Sequence, residues 1–137
     1  MQFETKIAVV LRDDLAVWQR VNAAAFLVSG IAGRDPTTVG EDYGDGSGNR
    51  YLPMFRQPVL VFEADAAQLR RAHERALARS VTELAIFTME LFSTPHDEAN
   101  RAAVADVPVE ELDLVGLALR ADRKVVDKVV DRLRRHP

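Results

Sequence analysis

Ile7-Ala8-Val9-Val10-Leu11 is an unbroken apolar run that follows a short alternation of Phe3, Thr5 and Ile7 against Glu4 and Lys6. Alternation marks a strand with one wet face, and the unbroken run marks a strand buried on both faces. A chain that opens this way needs cover for two faces of a sheet. The rest of the sequence supplies it, because strand-like and helix-like segments alternate to the end.

Arg12-Asp13-Asp14 punctuates the first strand, and either aspartate suits the N-cap of a helix from about Leu15 to Ser29. Gly30 or Gly33 suits its end. This helix is apolar almost all round, interrupted by Asn22 and Ser29, so it is expected to be covered by the domain or to form a subunit interface. Residues 34–49 shift to Gly, Asp, Pro and Thr, and Gly44 to Asn49 between Tyr43 and Tyr51 reads as a glycine-rich hairpin turn. No Gly-Lys-Ser/Thr follows it, and the acids miss the spacing of a calcium loop. A second strand covers Val59 to Phe62 after Pro58, then a helix from Ala66 to Arg79 capped by Asp65, and a third strand from Val81 to Thr88. A short helix starts at Ser93-Thr94-Pro95, a fourth strand runs from Leu112 to Leu119, and a last helix covers Ala121 to Arg135. The expectation is one α/β domain over residues 1–137, a three-layer sandwich with a mixed four-stranded sheet.

With 137 residues, 47% of them apolar, the chain can bury a core unaided. It has no cysteine, which excludes disulfides, thiolate metal sites and cysteine nucleophiles, and fits a cytoplasmic location. Neither a secretory leader nor a membrane span is expected, since the longest nearly apolar stretch, Val21 to Ala32, falls short of the roughly 20 residues a span needs. The net charge of −3 conceals an asymmetry. Residues 83–113 hold eight acids against Arg101, whereas residues 120–137 hold seven bases against three aspartates. A basic final helix could meet phosphates, but cations near a helix C-terminus are also favoured by its dipole, and nucleic acid is not the expected partner.

Val9-Val10-Leu11-Arg12-Asp13-Asp14-Leu15 before an alanine-rich helix resembles the opening of the type II peptidyl-tRNA hydrolases. Gln57-Pro58-Val59-Leu60-Val61 and Leu114-Val115-Gly116-Leu117-Ala118-Leu119 continue the likeness. Asn49-Arg50-Tyr51-Leu52-Pro53 and His96-Asp97-Glu98-Ala99-Asn100-Arg101 make the chain more similar to a bacterial domain-of-unknown-function family, number two thousand, with a hydrolase-like fold. The resemblance implies a mixed four-stranded sheet between helical layers and a homodimer. It does not carry hydrolase activity across. The positions of that family's two lysines, glutamine and histidine fall on Gln19, Val21, Ala25 and Val28, and its Asp-Ala-Gly-Arg-Thr loop has no counterpart in Thr88 to Phe92.

Chemistry would then rest on His96 and carboxylates. On a helix, His96 and Asn100 share a face at i and i+4, and Asp97 pairs with Arg101. The segment reads either as a site, with His96 as general base and Thr94, Asn100 and Arg101 binding a ligand, or as a capped helix start. Asp13 and Asp14 end the first strand, where α/β sheets collect ligands, and read as a pair for a hard cation, as base and ligand-binding group, or, more often, as helix caps. Asn22, a lone amide in its apolar helix, needs partners if buried, and reads either as fixing a neighbouring loop or as pointing into a pocket with Arg56 and Glu90. His73 and His136 complete no zinc spacing, so no metal and no cofactor are expected. The expected function is that of a small-molecule-binding protein or small enzyme with its site near His96 to Arg101. The alternatives are a non-catalytic homodimer or, further off, an RNA-associated hydrolase.

Overall fold

The computed structural model describes residues 3–137. β1 (Thr5–Arg12) is the central strand. It pairs in parallel with β4 (Val59–Ala64), from Ile7↔Val59 to Arg12↔Ala64. On its other side it pairs antiparallel with β6 (Leu114–Asp122), from Thr5↔Asp122 to Leu11↔Gly116. β5 (Glu83–Thr88) lies outside β6, and the short β7 (Arg134–Arg135) lies outside β4, giving the order β5-β6-β1-β4-β7. The unbroken apolar run has the cause inferred from it, since Ile7 to Leu11 are all buried.

Alternate residues of the run feed two cores. Ile7, Val9 and Leu11 meet Ala23, Leu27 and Ile31 of α1 (Val17–Arg34) on one face. Ala8 and Val10 meet Leu69, Ala72 and Ala76 of α2 (Ala66–Ala78) and Val126 and Val129 of α4 (Arg123–Val129) on the other. The chain is therefore a three-layer α/β sandwich with a mixed sheet. Leaving β1, it crosses by α1 on one face, and leaving the adjacent β4 it crosses by α2 on the opposite face. A crevice thus opens at the carboxyl ends of β1 and β4, the topological position where open α/β sheets take ligands.

Several expectations need correction. The sheet has five strands, not four, because the last segment is not one long helix. After α4 the chain reverses at Arg132, whose φ is 67°, and lays β7 along β4, pairing Phe62↔Arg135 and Glu63↔Arg134. The apolar spacing that suggested a helix to Arg135 is a packing stripe for only one short helix: Val126, Val129 and Val130 are buried and Leu133 packs from the turn. The bases of the supposed basic helix disperse accordingly. Arg120 bonds Glu83 and Asp35, Arg134 is paired with Glu63, and Arg135 lies over the Phe62 ring, 5.3 Å from its centroid.

α1 contains both glycines and ends at Asp35, which is extended because Pro36 follows. Only Ala23, Leu27 and Ile31 of α1 are buried, so the helix is covered along one stripe. The hairpin was correctly read: β2 (Tyr43–Gly44) pairs with β3 (Arg50–Tyr51), with Tyr43 opposite Tyr51. Asp45 organises its turn, accepting from Ser47 N, Asn49 N and the Tyr51 hydroxyl at 2.6–3.0 Å. These donors, Tyr51 foremost, hold its carboxyl well below the usual carboxylate range.

His73 is buried in α2, and burial lowers its basicity, with Arg70 adding to the effect and Glu74 opposing it. The unfolded chain therefore binds a proton that the folded chain refuses, so stability rises with pH through the window just below the ordinary histidine value of 6.5. Urea midpoints measured at about pH 7.5 and about pH 5.5 are expected to fall in acid, and to fall less in His73→Leu than in the parent. Equal slopes in the two proteins would remove His73 from the account.

Candidate functional site

The crevice end of the sheet is organised around Arg12, the last residue of β1, whose side chain is 10% exposed. Its guanidinium donates to Asp14 Oδ1 at 2.7 Å, to Asp113 Oδ1 at 2.9 Å and to the Leu114 carbonyl at 2.8 Å. Burial works against the cation, but the hydrogen bonds and charges of Asp14 and Asp113 outweigh it and hold the pKa above its ordinary value. One arginine thus ties the loop after β1 to the entrance of β6. The Asp13 N–H adds a tie to β4, donating to the Ala64 carbonyl at 2.9 Å.

Beside this cation lies a cleft of about 370 Å³, bordered by Arg12, Asp113, Arg70, Arg71 and the first turn of α2 at Ala66 and Ala67. Asp65 caps α2 by accepting from Gln68 N at 2.7 Å, while Gln68 Oε1 accepts from Asp65 N at 2.9 Å. That box leaves the N–H groups of Ala66 and Ala67 without intrahelical partners. Exposed Arg70 and Arg71 follow one turn on, Arg70 donating to the Glu110 carbonyl, so three arginines and a helix N-terminus border the cleft beside Asp113.

The residues expected to act are placed otherwise. His96 is the N-cap of α3 (Asp97–Ala105), its Nδ1 accepting from Ala99 N at 3.2 Å. Thr94, expected as the cap, donates instead to the Leu91 carbonyl and to Asn100 Oδ1. Arg101 pairs with Asp97 on the exposed surface. The segment is thus a capped helix start, and the histidine and asparagine that looked superfluous to that reading are its fastenings.

Asp13 and Asp14 do not cap α1, whose N-cap is Ala16; Asp14 is held by Arg12. Asn22 is exposed on α1, so burial demands no partner for it. Arg56 lines a cleft with Thr5, Gln57 and Arg120 at the amino end of β1, whereas Glu90 follows β5 at the opposite end of the sheet. The pocket expected from Asn22, Arg56 and Glu90 is therefore not formed. Of five surface clefts, none counts His96, Asp13, Asn100 or Arg101 among its lining residues. Among the described residues no group of histidines and acids is arranged to hold a metal, and no helix is long and apolar enough to cross a membrane.

Arg12, Asp113, Arg70 and Arg71 were not singled out as site residues. The available signal was a charge ending a run buried on both faces, since a guanidinium in that position must find carboxylates.

A family described as "Protein of unknown function (DUF2000)" matches residues 5–137. The chain belongs to that family. No functionally curated protein matches it. A solved structure, that of the protein of unknown function Atu0240 from Agrobacterium tumefaciens strain C58, is 46% identical, with a TM-score of 0.96, covering 99% of this chain and 100% of that one. The arrangement of strands and helices around the Arg12 crevice is accordingly common to both chains.

Proposed function

We propose that the chain binds a small anionic metabolite, carrying a carboxylate or phosphate, in the cleft at the carboxyl ends of β1 and β4. The observation that carries the reading is the convergence of Arg12, Arg70 and Arg71 with the open first turn of α2. Arg70 and Arg71 supply charge-assisted donors, the Ala66 and Ala67 N–H groups supply fixed ones, and Asp113 favours a ligand that also carries a donor. Arg12 is already committed to two carboxylates, so it shapes and charges the floor of the cleft. The order of elements is compatible with a type II peptidyl-tRNA hydrolase-like arrangement. Gln19, Val21, Ala25 and Val28, at the positions of the hydrolases' polar helix groups, favour binding over ester hydrolysis, since none can activate water.

Amide NMR titration with inorganic phosphate and with malonate tests the reading. Shifts are expected at Ala66, Ala67 and Arg70, and Arg71→Ala is expected to weaken binding about tenfold with the fold intact, the worth of one charge-assisted contact. Spectra that stay unchanged up to about 10 mM of either probe, a very weak affinity by any standard, would overturn it.

A further inference from the structure

α1 buries one stripe and presents the other to solvent, and that outer stripe is not the charged surface an amphipathic helix ordinarily shows. Val17, Trp18, Val21 and Phe26 are 70%, 60%, 65% and 56% exposed. The exposed positions that continue the stripe are Asn22, Ala25, Ser29 and Gly33, all uncharged, and the exposed Arg34 lies off it, beside Gly30 on the β5 side.

The two glycines are unexplained by the chain's own packing. A Cβ on Gly33 would meet nothing within 4 Å, and one on Gly30 would make only an ordinary contact with Ala85 Cβ at 3.8 Å. Neither has the positive φ that requires glycine. Each costs the helix about 1 kcal/mol against alanine. Close approach by something outside the chain accounts for Gly33, whereas the missing Cβ of Gly30 faces Ala85 of β5.

The stripe is graded along the helix, with its bulk at the N-terminal end and its small residues at the C-terminal end. That grading is self-complementary when two copies meet antiparallel, because Trp18 of one copy then lies over Ser29 and Gly33 of the other. A parallel pair would set bulk against bulk and leave a gap at Gly33. Antiparallel pairing about a twofold axis is the symmetry of an isologous dimer.

The hairpin arm is a second exposed apolar surface, rooted on the α1 side of the sheet. It leaves the α1 side of the sheet through the Val39↔Phe55 bridge, with Phe55 packed in the core under α1. Its Tyr43, Tyr51, Leu52 and Met54 are all at least half exposed. Together with the bulky residues of α1 these side chains offer on the order of 1,000 Å² per copy, against about 800 Å² per partner in a standard interface. Because the arm springs from the C-terminal end of α1, antiparallel pairing brings it beside the N-terminal end of the other copy's helix.

We propose that the chain forms a twofold homodimer in which the outer stripes of α1 pack antiparallel and each arm lies over the other copy's helix. This is independent of the anion-binding reading. Sedimentation equilibrium of the full chain is expected to give twice the 15.2 kDa chain mass at about 100 µM, and Val21→Glu to give the monomer. Gly33→Leu is the decisive second variant. Its own chain has room for the side chain, so thermal stability of the monomer is expected to hold or rise while dimer affinity falls at least about tenfold.

The absence of native cysteine allows the orientation to be read directly. Mixed Val21→Cys and Ser29→Cys chains are expected to cross-link to each other far faster than either does alone. A monomeric parent, a dimer indifferent to both stripe variants, or preferential Val21→Cys self-cross-linking would each overturn the proposal. A monomer that instead partitions onto phosphatidylcholine vesicles would overturn it by assigning the stripe to a lipid surface.

Discussion

Removing both carboxylates that hold Arg12, in an Asp14→Ala/Asp113→Ala variant, is expected to destabilise the fold by about 3 kcal/mol, while each single substitution costs about 1 kcal/mol or less. The two acids are more than half exposed, so losing either one strands no carboxylate, and the other still neutralises the cation. Arg12 is different, because its side chain is 10% exposed and cannot swing into water without leaving the Leu114 carbonyl. With both acids gone a buried guanidinium has no counter-charge, and its desolvation is fully felt. The substitutions should therefore be strongly non-additive, as members of one network are.

A triple variant that also carries Arg12→Met separates charge from packing. It keeps an apolar stem in the same space and removes the uncompensated cation, so it is expected to recover most of the loss, less the unpaired Leu114 carbonyl. Urea midpoints at constant m-value are the measurement. A double variant within 1 kcal/mol of the parent would mean that water reaches Arg12 readily and that the crevice floor is not the rigid feature described.

The same arginine shows where reading the sequence stops. Ile7 to Leu11 announced a central strand because burial on both faces is a local property of five consecutive residues. That Arg12 would be held by Asp113, a residue 101 positions away, follows from β6 pairing antiparallel with β1, and no local pattern contains it. The histidine segment misled for the opposite reason. His96 and Asn100 look superfluous beside Thr94 and Asp97 only while Thr94 is assumed to be the cap; with the helix starting two residues later, His96 caps and Thr94 bonds Asn100. Asp13-Asp14 misled similarly, because a nearby buried arginine outcompetes helix N–H groups for Asp14. The fifth strand was hidden because Val125 to Leu133 has helical spacing, whereas the reversal at Arg132 depends on the edge of β4 lying alongside. The outer face of α1 was visible throughout as an all-round apolar helix, and only the structure shows which half is left uncovered.

Gly116 is the position where a single added carbon should cost most. It sits in β6 opposite Leu11, under α1, and a Cβ built there would lie 3.0 Å from the Val10 carbonyl oxygen and 3.1 Å from both Leu11 Cδ2 and Leu27 Cδ1. Leu27 can rotate, but Val10 is in the central strand, paired with Leu117 on one side and Phe62 on the other, so its carbonyl cannot withdraw without loosening two ladders. Gly116→Ala is therefore expected to cost about 1–2 kcal/mol despite glycine's usual disadvantage in a strand, and Gly116→Val about 3 kcal/mol or more, by overpacking. The Leu27→Ala background isolates one of the three contacts. Truncating Leu27 relieves its own clash alone, so Gly116→Ala should become cheaper there by about 0.5–1 kcal/mol while remaining destabilising through the Val10 carbonyl and Leu11 Cδ2. If Gly116→Ala were neutral in the parent, α1 would have to ride further from the sheet than these contacts allow. The outer stripe of the helix would then stand in a different place, and the dimer surface drawn from it would move as well.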